Sequence, residues 1–147
     1  MLVIRRVQPE DIFSVIRLAY DTLSERYNPL LFTTFFESFP KGFLIALKNN
    51  KVIGFIVSIP VDEASIKIMM LSVIRSYRRQ GIGSLLVTHL LEEMKRQNVR
   101  IVELEVKTTN TSAISLYKKH GFCIIKRIDG FYQTNESAFV MRKNLEF

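Results

Sequence analysis

This chain has very little of the side-chain chemistry that holds metals or closes disulfides. Cys123 is its only cysteine, which excludes an internal disulfide. His89 and His120 are its only histidines, so a zinc site would lack soft ligands and no metal is expected. No apolar run reaches the roughly 18 to 20 residues that a membrane-spanning helix needs. The opening MLVIRRVQPED reads as a strand rather than a secretion signal. Repeats, linkers and low-complexity stretches are missing too. These absences lead us to expect one cytoplasmic domain over residues 1–147, with no membrane partner.

What is present is apolar and basic. Hydrophobic residues make up 48% of the 147 positions, enough to bury the core of one ordinary domain. Lysine and arginine number 21 against 14 aspartate and glutamate, and the net charge of +7 favours anionic partners. Its sign alone does not choose among a nucleotide cofactor, a ribosome and nonspecific RNA, and nothing points to a specific nucleic acid.

Along the chain, Leu2 to Val7 reads as a strand, and Pro9-Glu10-Asp11 opens a helix with Ile12, Val15, Ile16, Ala19 and Leu23 at helical spacing. Leu30 to Phe39 suggests a second helix stopped by Pro40. Phe43 to Leu47 and Val52 to Ile59 are β-rich and joined by the hairpin turn Lys48-Asn49-Asn50-Lys51. A strand over Ile66 to Val73, a helix over Ser84 to Gln97 and a strand over Val99 to Val106 follow. A short helix over Ser112 to Lys119 and strands over Phe122 to Ile128 and Ala138 to Arg142 close the chain. The order predicts an α/β fold with helices on both faces of a mixed sheet. The early hairpins pair antiparallel, and the strand-helix-strand segment 66 to 106 requires a parallel crossover.

The segment Arg78-Arg79-Gln80-Gly81-Ile82-Gly83-Ser84 lies between a hydrophobic strand and a helix. Unpaired N–H groups at a helix start and the helix dipole favour an anion there, and glycines let a phosphate come close to the backbone. A P-loop needs Lys then Ser or Thr after its last glycine, and a dinucleotide fingerprint needs a third glycine where Leu86 stands. Both are rejected.

RxxGxG at 78 to 83 resembles the acetyl-coenzyme A motif of the GCN5-related N-acetyltransferases (GNAT). Asn110, Ala113, Tyr117, Gly121 and Phe122 look like the same family's NxxAxxxYxxxGF block, in the right order and separation. LEVKTTNTSAISLYKKHGF, LSVIRSYRRQGIG and GFYQTNESAFVMRKNL are most similar to the branch that acetylates protein N-termini, including the archaeal and eukaryotic catalytic subunits and the bacterial ribosomal-protein-alanine enzymes.

The resemblance implies the acyl-CoA N-acyltransferase fold, acetyl-CoA as co-substrate and a peptide N-terminus as acceptor, attacked directly in a ternary complex. It implies that the backbone of Leu71, Ser72 and Val73, on a strand splaying from its neighbour, holds the pantetheine arm and polarises the thioester carbonyl. The pyrophosphate is expected on Arg79 to Ser84, with Arg78 and Asn110 as further coenzyme contacts. Acyl transfer to an amine needs a neutral nitrogen, a stabilised oxyanion and a proton for the departing thiolate. Tyr117 matches the family's proton donor, and Glu105, twelve positions earlier, matches the bacterial branch's base. Strand alternation puts Glu103 and Glu105 on one face, opposite Val102, Leu104 and Val106. Lys67 stands where a eukaryotic branch has a catalytic tyrosine, and a lysine cannot replace it, so Lys67 is left out of the catalytic set. Glu25, Tyr27 and Tyr132 match substrate-reading positions, while Phe131 replaces the first of a family tyrosine pair and loses one hydrogen bond. Cys123 is expected in the core, and His89 and His120 on the surface.

Two rivals remain at this level. One is acetylation of a polyamine, another small amine or an internal lysine. The other is a noncatalytic module that binds the coenzyme or RNA. The basic surface also raises the expectation of ribosome association.

Overall fold

A computed structural model describes residues 1–23 and 27–145. Among these residues seven strands form one mixed sheet in the order β1-β2-β3-β4-β5-β7-β6. They are β1 (Leu2–Arg6), β2 (Phe43–Lys48), β3 (Lys51–Pro60), β4 (Ser65–Val73), β5 (Ile101–Lys107), β6 (Cys123–Ile128) and β7 (Ala138–Asn144). The helices are α1 (Ile12–Thr22), α2 (Leu30–Ser38), α3 (Ile82–Arg96) and α4 (Thr111–Lys119). Among the described residues no helix is long and apolar enough to cross a membrane.

The connections follow local chemistry. Asn49 and Asn50 both take positive φ, 51° and 65°, which closes β2 and β3 with a two-residue turn whose twist matches the strands. Pro9–Asp11 forms a 3-10 turn ahead of α1 instead of its first α-helical turn. Proline suits that entry because it has no N–H to satisfy. Gly81, at φ 79°, lets the chain turn into α3 two residues earlier than the apolar spacing suggests.

Two cores lie on opposite faces. Leu44, Ala46, Ile66, Val102, Leu104 and Val106 pack with Leu86, Leu90 and Met94 of α3 and Tyr117 of α4. Phe43, Ile45, Phe55, Val57 and Met70 pack with Val15, Leu18, Phe32 and Phe35 of α1 and α2. Strand β2 is buried on both faces, which is why its sequence FLIAL is apolar without alternation. Burial of this kind contributes roughly 25 cal/mol per Å² of apolar surface.

Two irregularities in β4 prepare a site. Its antiparallel register with β3 pairs Val57 with Met70 but Ser58 with Ile68, leaving Met69 as an extra residue. One extra residue reverses the faces of all that follows. Ile66 and Ile68 thus belong to the α3 core and Met70 to the α1 core. The second irregularity is a split. Parallel pairing of β4 with β5 ends at Ile68 and Leu104, after which β4 keeps only β3, while Glu105, Val106 and Lys107 keep only β7.

Candidate active site

The split is a wedge whose walls carry different chemistry. On the β4 wall, Ile74 N–H donates to Ile53 of β3 at 2.8 Å. By the two-residue alternation of antiparallel pairing, Ser72 directs its backbone to β3, and Leu71 and Val73 turn theirs to the open wedge. The Val73 carbonyl accepts from Arg78 Nε at 3.0 Å, which holds the arginine across the top of the strand. The buried Ser72 hydroxyl meets Thr22 of α1 at 2.5 Å and so ties this wall to that helix.

Beyond β4 lies the glycine turn. Leu85 N–H makes the first α3 bond, to the Gly81 carbonyl at 3.0 Å, so the N–H groups of Ile82, Gly83 and Ser84 point out of the helix end. No atom lies within 4 Å of the position a Cβ would occupy on Gly81, and Arg79, Gln80 and Gly81 are exposed. The result is an open cradle of donors at a positive helix end, flanked by two guanidinium groups. The Ser84 hydroxyl is engaged from below by His120 Nε2 at 2.7 Å. Burial, followed by the charge of Lys143, holds His120 below the ordinary histidine range. His120 is therefore half-buried and partnered, contrary to its expected surface position.

On the β5 wall, Val102, Leu104 and Val106 are buried against α3 and α4, and Glu103, Glu105 and Lys107 face the other way, as alternation predicts. Glu105 Oε2 lies 2.7 Å from Lys67 Nζ. Tyr117 comes to the opposite side of β5 from α4, and its ring meets Phe122 edge-on with centroids 5.4 Å apart. Burial pushes its phenol well above the ordinary tyrosine range, and its hydroxyl has no hydrogen-bond partner among the described residues. It therefore stays protonated at neutral pH and can donate. A carboxylate and a proton-holding phenol thus lie on opposite sides of the sheet at β5.

The remaining sequence-predicted residues are placed as follows. Asn110 is the N-cap of α4, its Oδ1 accepting from Ala113 N–H at 3.1 Å, which leaves the side-chain amide N–H groups for other contacts. The Tyr132 ring sits under Lys107 Nζ at 5.3 Å and against Phe131 at 5.0 Å. Tyr27 is at the surface, and Glu25 lies outside the described residues. Cys123 corrects an expectation. It is exposed because β6 is an edge strand that no helix covers. A groove of about 1230 Å³ between α1, β1 and the β2–β3 turn holds none of the predicted catalytic or coenzyme residues. Among the described residues no His, Cys, Asp and Glu cluster could hold a metal.

The split sheet and glycine cradle define an acyl-coenzyme A transferase fold, and comparison with known proteins agrees. The Acetyltransferase (GNAT) family matches residues 12–122, and the chain belongs to that family. It is an acetyl-CoA-dependent acetyltransferase. Among its relatives, an N-alpha-acetyltransferase of Saccharolobus solfataricus is 29% identical, over 97% of this chain and 92% of the relative. Ard1 from Thermoplasma volcanium superposes with a TM-score of 0.95 at 33% identity, over 99% of each chain. Arabidopsis thaliana Naa50, solved in complex with the bisubstrate analogue CoA-Ac-MVNAL, gives 0.84 at 27%, over 98% of this chain and 99% of that one. The residues present fit acetyl-CoA. The space at Gly81 admits a phosphate that any side chain would obstruct, and the backbone of Leu71 and Val73, which β5 leaves without a strand partner on the wedge side, suits the amides of a pantetheine arm.

Proposed function

We propose that this chain acetylates the N-terminal α-amine of proteins. The observation that supports the reading is a sheltered carboxylate, Glu105, on one side of β5 where it parts from β4, with the buried phenol of Tyr117 in the core on the other side. That arrangement lets an amine enter from the α1/α2 face and meet an acetyl donor laid along the α3/α4 face. The N-alpha-acetyltransferase relatives and the peptide analogue held by Naa50 support a peptide acceptor.

Bound acetyl-CoA supplies an activated acetyl group as a thioester. The cradle residues Arg78, Arg79, Gln80, Gly81, Ile82, Gly83 and Ser84 hold its phosphates, Leu71 and Val73 its pantetheine arm, and Asn110 assists, while Ser72, expected beside them, turns to β3 and Thr22 and only anchors that wall. Glu105 takes the proton that the nitrogen releases as the new C–N bond forms, directly or through one water. Tyr117 gives its phenolic proton to the sulfur as the C–S bond breaks, then regains one from solvent. Tyr27, Tyr132 and Glu25 grip the peptide. Acceptor basicity favours the same reading. An α-amine with a pKa of about 8 is roughly a tenth neutral at pH 7, whereas a lysine at about 10.4 is neutral only about four parts in ten thousand. A single carboxylate base is matched to the first.

Acetyl transfer from labelled acetyl-CoA to peptides with free or blocked N-termini, each with an internal lysine, tests this, with spermidine alongside. Label on free N-termini alone is expected. Label on blocked peptides or spermidine refutes it in favour of a more basic acceptor. The charge of +7 supports work in the cytosol beside ribosomes. Co-sedimentation with ribosomes at low salt is the expected sign, and a wholly unbound protein counts against it.

A further inference from the structure

Lys67 has no part in the chemistry above, yet it occupies the centre of the site. Opposite Lys67 in the parallel register stands Glu103, not Glu105. Glu103 is taken by Arg142 of β7, whose Nε donates to it at 2.7 Å. Lys67 instead leans along the sheet, past the last β4–β5 pair, to reach Glu105 at 2.7 Å in the mouth of the wedge. The pair is sheltered but open to a ligand, with the two side chains 31% and 16% exposed.

The surrounding charges are otherwise committed. Lys107 of β5 is paired with Glu136 at 3.3 Å and covers the Tyr132 ring. Across β4 from Lys67, β3 presents Ile59. From α1 it is Thr22 that reaches β4, while Arg17 and Asp21 line the groove beside β1. From α4, Tyr117 arrives on the far face as an uncharged phenol. Lys67 is thus the cation in contact with Glu105.

We propose that Lys67 is a specificity-determining residue whose ammonium keeps the acceptor amine at Glu105 neutral and so selects N-terminal α-amines over more basic amines. The inference rests on the acetyltransferase reading above. A lone carboxylate at a cleft mouth attracts ammonium groups and stabilises their charged form, which cannot attack. A lysine clasping that carboxylate cancels its field. An amine hydrogen-bonded to the other carboxylate oxygen then lies within roughly 4 to 6 Å of a like charge, which disfavours its ammonium form. An α-ammonium, with a pKa of about 8, sheds its proton under that influence, and a lysine or polyamine ammonium at about 10.4 stays charged and is repelled. The balance of the reaction is unchanged. One acetyl group moves from sulfur to nitrogen, one C–S bond breaks as one C–N bond forms, and each charged amine used releases one proton to solvent.

The test is single-turnover acetyl transfer at saturating peptide from about pH 6 to about pH 9.5 for the wild type, Lys67→Met and Lys67→Arg. In Lys67→Met the acid limb of the rate profile should move up by about one pH unit, and spermidine, no longer repelled, should bind in its charged form and compete with the peptide. Lys67→Arg keeps the cation and should keep the wild-type limb. The limb of kcat/KM, which reports the free enzyme and free peptide, should stay in place near the free α-amine value of about 8 in all three. A Lys67→Met profile lowered equally at every pH would assign Lys67 to holding the strands together and overturn the proposal. So would a Lys67→Arg profile that follows Lys67→Met. A wild-type enzyme that labels no free N-terminus would instead refute the parent reading, whatever the variants do.

Discussion

The two faces of the sheet around β4 solve opposite problems. On the proposed mechanism the α3/α4 face meets a large anionic co-substrate with backbone, namely the exposed N–H groups at the start of α3, the left-handed Gly81 and the edge of Leu71 and Val73 that β5 leaves open. On the same proposal the α1/α2 face meets the acceptor amine with side chains drawn from separate strands, Lys67 from β4 and Glu105 from β5. Backbone recognition is written in consecutive residues and survives most side-chain changes. Side-chain recognition depends on a register that no single segment contains.

Substitutions can test that division. On the proposed mechanism the largest effect comes from Tyr117→Phe, which removes the proton donor on the coenzyme face and should lower kcat by about a hundredfold or more. Coenzyme affinity, measured by calorimetry, should be kept. Glu105→Gln should lower kcat by about a hundredfold, again with coenzyme affinity kept. It should also leave Lys67 without its partner. An unchanged kcat in either variant removes that residue from the chemistry.

Gly81→Val should act on the backbone side alone. A β-branched residue at φ 79° strains the turn by about 1–2 kcal/mol and fills the cradle, so the Kd for coenzyme A should rise by about tenfold. Its kcat at saturation should change little.

The smallest expected effect on activity lies away from both faces of the split. Burial pushes the Asp11 carboxyl up, but the Arg5 guanidinium at 2.8 Å and the Gln8 N–H at 2.8 Å outweigh it and leave it below the usual carboxylate range. A lowered pKa means that the contribution to stability is present above the unfolded value of about 4 and is lost as pH falls through the folded one. Asp11→Asn should cost about 1–3 kcal/mol at neutral pH and flatten the acid loss of stability in thermal melts. It should leave kcat unchanged.

Much of this protein is legible before folding because its signals are local. The Asn49-Asn50 turn, the helical spacing from Ile12 and the alternation over residues 101–107 all appear where the residues predict them. The glycine cradle is equally local. Strand and helix ends shifted by one or two residues where turns compete, as at Gly81. Cys123 was misjudged because a small apolar residue carries no mark of which strand becomes an edge. His120 was misjudged because its partner, Ser84, lies 36 positions away on another helix.

The sequence by itself determined the element order, the family and the positions of the acid and base candidates, since short-range periodicity and motif spacing encode them. Only the tertiary structure decided that Met69 is the extra residue that reverses β4 and that β4 parts from β5 after Ile68. It alone brought Lys67 to Glu105. Those outcomes follow from pairing between distant strands, where one residue of register changes the face to which every later side chain points.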